Sequence, residues 1–103
     1  IKFTRTGDIV CRYGGEEFLV AFPNTKEGDA FLIADRLRET IQASPIYVDH
    51  HMISITISAG IAEFPTHGHY EALILETTDK ALYHAKHNGR NQVSLWSKIK
   101  APF

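Results

Sequence analysis

Arg12-Tyr13-Gly14-Gly15-Glu16-Glu17-Phe18 is the stretch from which the fold is read. Asp8-Ile9-Val10-Cys11 precedes it and Leu19-Val20-Ala21-Phe22 follows it. Both glycines can take positive φ, so Gly14-Gly15 reads as a two-residue hairpin turn between strands at about 8–13 and 16–22. A turn without Cβ atoms also lets a bulky anion approach the backbone. Glu16 and Glu17 then stand at the mouth of the second strand, where carboxylates can hold a hard cation such as Mg²⁺. A triphosphate brings that ion with it, so the local chemistry suits metal-assisted work on a nucleotide. Taken alone, two glutamates after a turn are more often an ordinary solvated strand start, and the stretch needs support from the rest of the chain. Phe18, Val20 and Phe22 face one way and Leu19 and Ala21 the other. With both faces apolar, this strand is predicted to be covered on both sides, as in a layered α/β domain.

Downstream, Pro23-Asn24-Thr25 reads as a turn with Thr25 as helix N-cap. Glu27 and Asp29 suit a first helical turn, and Ala30, Ile33, Ala34, Leu37 and Ile41 recur at helical spacing. Ser44-Pro45 ends that helix near Ala43. Ile46 to Val48 reads as a short strand and Asp49-His50-His51 as a turn. The run 53–62 alternates strictly, with Ile53, Ile55, Ile57, Ala59 and Ile61 on one face and Ser54, Thr56, Ser58, Gly60 and Ala62 on the other. The small second face calls for a close neighbour such as a helix. Residues 65–69 read as a loop, 70–88 as a second helix stopped by Gly89, and 92–96 as a last strand. The order is ββα(β)βαβ, an α/β arrangement.

A chain of 103 residues is one domain at most. Its formal net charge of −1 offers no overall basic field for nucleic acid or anionic membrane. The single Cys11 excludes an internal disulfide, fits a reducing compartment, and reads as a buried structural thiol. No apolar run is long enough to span a bilayer, and no stretch of these residues reads as a signal peptide. The opening Ile1-Lys2-Phe3-Thr4, without an initiator methionine, suggests an excerpt from a longer protein. Six histidines invite a metal reading. His84 and His87 lie three apart on a helix, and His67 and His69 flank Gly68, but no cysteine pair or spaced carboxylate completes a zinc site, so surface histidines are expected.

Arg12-Tyr13-Gly14-Gly15-Glu16-Glu17-Phe18 resembles the hairpin motif of the GGDEF family of bacterial diguanylate cyclases, in the GGEEF variant. Ser58-Ala59-Gly60-Ile61 resembles that family's S-x-G-I strand. The run from Thr78 to Asn91 resembles its closing A-D-x-A-L-Y-x-A-K-x-x-G-R-N segment, with Thr78 in place of alanine. These motifs stand in the family's order and at its distances. The resemblance implies a nucleotidyl cyclase or polymerase-palm-like α/β (α+β) fold with a ferredoxin-like sheet, and makes residues 1–103 part of one such domain. It implies a nucleotidyltransferase: two copies face each other as a homodimer, each holding one GTP, and condense them to cyclic di-GMP and two pyrophosphates. It also implies Mg²⁺ (or Mn²⁺), and a cytoplasmic location, membrane-anchored only through other parts of a larger protein.

Carried over residue by residue, the resemblance makes Glu16 a metal ligand that assists deprotonation of the 3′-hydroxyl, and Glu17 its acidic neighbour at the same site. Gly14 and Gly15 make room for nucleotide, and Lys86 and Arg90 match a basic pair near the terminal phosphates. Residues four apart share a helix face, provided that the helix reaches Arg90; cations at a helix C-terminus are also favoured on their own account. Arg5-Thr6-Gly7-Asp8 matches the family's R-x-x-D inhibitory site for cyclic di-GMP. A guanidinium suits a phosphate or the guanine Hoogsteen edge, and a carboxylate suits the guanine N1–H and N2–H₂ edge. Arg36 falls where some members supply a second arginine, and reads equally well as an exposed helix residue.

The family's upstream metal-binding Asp, its Phe-Lys turn and its guanine-reading Asn and Asp have no counterpart here, and Asp29, Asp35 and Asp79 do not replace them. The upstream strand carrying the first of these would lie between the 16–22 strand and the 53–62 strand. The alternative function is a GGDEF-type domain without turnover that binds GTP or cyclic di-GMP as a regulatory module. A structural dimerisation domain is a third.

Overall fold

The computed structural model describes the backbone of residues 9–12 and both backbone and side chains of 17–99. Among these residues three two-stranded sheets and two helices form, in the order β1 (Ile9–Arg12), β2 (Phe18–Ala21), α1 (Glu27–Gln42), β3 (Ile46–Val48), β4 (His51–Ile53), β5 (Ala59–Ile61), α2 (Glu71–His87) and β6 (Val93–Leu95). A single 3₁₀ turn, Trp96–Lys98, follows. None of the described helices is long and apolar enough to cross a membrane.

The packed centre is the β5–α2–β6 unit. β5 and β6 run parallel, with Gly60 opposite Ser94. Parallel neighbours need a crossover, and α2 supplies it by lying across both strands. Ala81 and Ala85 of α2 are wholly buried. A Cβ on Gly60 would sit 2.6 Å from the Ala81 carbonyl carbon, which only glycine avoids. This is the helix predicted against the small-residue face. Helix α1 packs against the same strands and buries Ala30.

Several expectations change. A two-residue Gly14-Gly15 turn pairs Arg12 with Glu17, whereas the observed antiparallel register pairs Arg12 with Phe18, one residue further on. The turn itself lies outside the described residues, as do the Cys11 side chain and residues 1–6. β2 is not covered on both faces: Phe18 is 67% exposed and Val20 37%. Phe18 is therefore largely open to solvent on that face, and Val20 is only partly covered. The alternating run 53–62 is not one strand. β4 ends at Ile53, β5 starts at Ala59, and no described strand pairs with residues 54–58. Alternation marks capacity for a ladder, and a ladder also needs a neighbour.

Thr25 does not cap α1; its hydroxyl donates to the Pro23 carbonyl. The N-cap is Lys26, without a side-chain bond. The cap comes from across the fold, because the Glu27 N–H donates to the Glu63 carboxylate at 2.8 Å. That satisfies one of the orphan donors at the helix start. The β3–β4 turn is Asp49-His50, both left-handed (φ 48° and 68°), as a two-residue hairpin requires.

Candidate functional site

Glu17 immediately precedes β2, and Lys86 lies in the last turn of α2, 69 residues later. The Lys86 ammonium donates to Glu17 Oε2 at 3.0 Å. Both side chains are half-buried, at 23% and 35% exposure, so the pair is partly shielded from water. The fold has thus brought a glutamate of the glycine-rich motif onto a lysine of the closing motif.

Asp79 precedes Lys86 by seven residues, two helical turns, and so shares its face. Asp79 is exposed, yet partial loss of water around it, and then the negative charge of Glu17, push its carboxyl above the usual carboxylate range. Glu17 thus pairs with Lys86 and also lies near enough to Asp79 for the two carboxylates to repel. The sequence reading sets Asp79 aside as a helix residue; its seven-residue spacing from Lys86 puts it on the same face, while its nearness to Glu17 comes only from the fold. One turn beyond Asp79, Tyr83 stacks on His87 with centroids 3.7 Å apart.

Arg90 is not on the helix face with Lys86. Helix α2 ends at His87, Asn88 caps it, and Gly89, Arg90 and Asn91 all take left-handed φ (110°, 60° and 49°). Gly89 does stop the helix, and the arginine follows in a separate left-handed loop. Its side chain is exposed and has no partner among the described residues. Arg36 is exposed on α1. Two of the histidines are not simply surface residues. His67 is 14% exposed and its Nδ1 accepts the Glu63 N–H at 2.8 Å, while half-buried His84 shares a 3.1 Å hydrogen bond with the buried Ser94 hydroxyl.

The family model for the diguanylate cyclase GGDEF domain matches residues 1–92. The chain belongs to the GGDEF family. It is 41% identical over 99 residues to diguanylate cyclase A of Treponema denticola, covering 96% of this chain and 26% of that protein. It is 42% identical over 91 residues to the response regulator PleD of Caulobacter vibrioides, covering 86% of this chain and 20% of the relative. The GGDEF chain thus spans about a quarter or less of these curated relatives.

Solved structures agree on the fold. The GGDEF domain of DgcB from Caulobacter crescentus, in complex with c-di-GMP, superposes with a TM-score of 0.86 at 27% identity, over 94% of this chain and 58% of that one. The active GGEEF domain of a Vibrio cholerae diguanylate cyclase gives 0.75 at 28% identity, over 97% and 62%. The mixed α/β architecture read from the sequence is that of GGDEF domains, of which this chain covers a part. Within this GGDEF domain Glu17, Arg36, Lys86 and Arg90 are described. Arg5, Asp8, Gly14, Gly15 and Glu16 lie outside the described residues.

Proposed function

We propose that the complete protein is a diguanylate cyclase, a nucleotidyltransferase that condenses two GTP into cyclic di-GMP. The 3′-hydroxyl oxygen of each GTP bonds to the α-phosphorus of the other, the bond to the β-phosphate breaks, and two pyrophosphates leave. Each copy carries one GTP, so the working form is a homodimer, in the cytoplasm where GTP is.

The observation that carries this reading is the Glu17–Lys86 pair, 3.0 Å long, which joins the two motifs in space. A triphosphate offers Lys86 a new anion and so frees Glu17. Arg90 stands one loop away as a second cation, and Gly14 and Gly15 leave room for the nucleotide. Carboxylate oxygen is the donor that hard divalent cations take, so Glu17, together with Glu16, fits Mg²⁺ or Mn²⁺. Among the described residues no group of three or more His, Cys, Asp or Glu is placed to hold a metal. The remaining ligands are therefore assigned to phosphate, water and residues outside the described ones. When bound, the ion activates the 3′-hydroxyl and steadies the leaving pyrophosphate. The protein's own groups do the positioning.

Glu16→Gln in the complete protein should cut cyclic di-GMP synthesis about a hundredfold or more, the scale of losing one charge-stabilising contact, while melting stays unchanged. Near-normal synthesis by the folded variant would remove Glu16 from the reaction. Arg5, Asp8 and Arg36 are assigned to a separate product-binding, inhibitory site. Titration calorimetry should find cyclic di-GMP bound roughly tenfold more weakly by Arg5→Ala, the loss of one charge-assisted hydrogen bond. Unchanged affinity would dismiss that site.

A further inference from the structure

Three successive residues, Gly89 to Asn91, sit in left-handed backbone, and only the first is glycine. For Arg90 that conformation is unfavourable and needs an outside hold. The hold is visible on three sides. Within the loop, the Arg90 N–H donates to the Ala85 carbonyl at 3.0 Å, and the Gln92 side-chain amide donates to the Asn88 and Arg90 carbonyls at 2.7 and 3.2 Å. From the start of β5 and the residue before it, Ser58 Oγ accepts the Asn91 N–H at 3.0 Å, and the Ala59 N–H donates to the Gln92 carbonyl at 3.0 Å. From α1, Arg38 donates through Nη1 to Asn91 Oδ1 at 3.1 Å, 53 residues away.

Arg38 is built for a fixed position. Its side chain is only 16% exposed. Nε donates to Asp35 at 2.7 Å, Nη1 also reaches Gln42 at 3.4 Å, and Nη2 lies 3.6 Å from Glu39. A guanidinium braced by its own helix has little freedom left to lose when it grips a loop. The only group it grips outside α1, among the described residues, is Asn91, next to Arg90.

We infer that Arg38 is a positioning residue: through Asn91 it holds the left-handed loop so that the Arg90 guanidinium is presented to the GTP phosphates. This rests on the reading of Arg90 as a phosphate-binding group. Arg38 itself touches no substrate. Its effect belongs in substrate binding, and it acts only through Arg90.

The test uses the complete protein, GTP and Mg²⁺, with steady-state kinetics and melting measured together. Arg38→Met keeps the helix and the aliphatic stem and removes every donor. It should raise KM for GTP about tenfold with kcat little changed, the scale of misplacing one charge-assisted contact. In an Arg90→Ala background the same substitution should add nothing further, because the group it positions is gone. Should Arg38→Met fail to fold, Asn91→Gly keeps an easy left-handed backbone and removes the acceptor, with the same expectations. A fall in melting temperature with unchanged KM, or effects that multiply with Arg90→Ala, would reduce Arg38 to a structural clamp and overturn the inference. If Arg90→Ala itself leaves KM unchanged, the phosphate reading of Arg90 falls and this inference with it. If Arg90→Ala raises KM and Arg38→Met does not, the inference alone falls.

Discussion

The β1–β2 hairpin and the β5–α2–β6 unit divide the labour of the molecule. In the second, helix and strands touch at backbone distance, with Ala81 and Ala85 fully buried and Gly60 pressed on the helix. In the first, Phe18 stands in solvent and Val20 is partly exposed, and its one ion pair among the described residues is Glu17–Lys86. Stability is therefore concentrated in one region, and the candidate chemistry sits on the seam between the two. Changes in the packed unit should act on folding, and changes along the seam on substrate.

Gly60→Ala tests the first half and has the largest expected effect. The new Cβ would meet α2 backbone, which cannot swing aside as a side chain does. Such overpacking should cost about 3 kcal/mol or more, the upper end for one added methyl-sized group. Thermal unfolding of Gly60→Ala at wild-type stability would mean that α2 can slide off β5. Lys86→Ala tests the other half. Exposed or half-exposed ion pairs contribute about 0–1 kcal/mol, so melting should barely move. KM for GTP should rise roughly tenfold, as a charged contact to phosphate is lost. A clear drop in melting temperature with unchanged KM would instead place Lys86 among the structural residues, where a cation at a helix C-terminus is at home.

The same division governs what the sequence made legible. Helices α1 and α2, the small face of β5 and the Asp49-His50 turn were readable from local pattern, although His51, read as part of that turn, opens β4. What failed depended on neighbours. The 53–62 alternation needed a flanking ladder for residues 54–58, and β2 needed cover for Phe18. The α1 cap came from Glu63, far along the chain, and Thr25 turned to its own Pro23 carbonyl. Arg90 left the helix because Gly89 ended it, and a four-residue spacing carries no meaning beyond that stop. The motifs named Glu17 and Lys86 separately, while their contact, and the presence of Asp79 beside them, required the fold.

Asp79 offers the finest test of the seam. Its carboxyl titrates above the usual range because partial desolvation, and then Glu17, disfavour its charge, although the residue is exposed. The folded protein therefore holds that proton more tightly than the unfolded chain does. Below the ordinary carboxylate value of 3.8 both states are protonated and no penalty arises. As pH rises from there to the folded-state value, the unfolded chain gives up its proton first and a penalty on folding builds up, and above that value the penalty is constant. Asp79→Asn removes the charge and keeps the shape. In metal-free buffer it should melt slightly higher than the wild type at neutral pH, and the difference should close at acidic pH. Lys86 at present offsets part of the Glu17 charge that Asp79 feels. In a Lys86→Ala background the gain from Asp79→Asn should therefore be larger, a coupling readable by a double-mutant cycle. A neutral-pH loss of stability in Asp79→Asn, or a gain that ignores Lys86, would mean that Asp79 does not share the seam with Glu17.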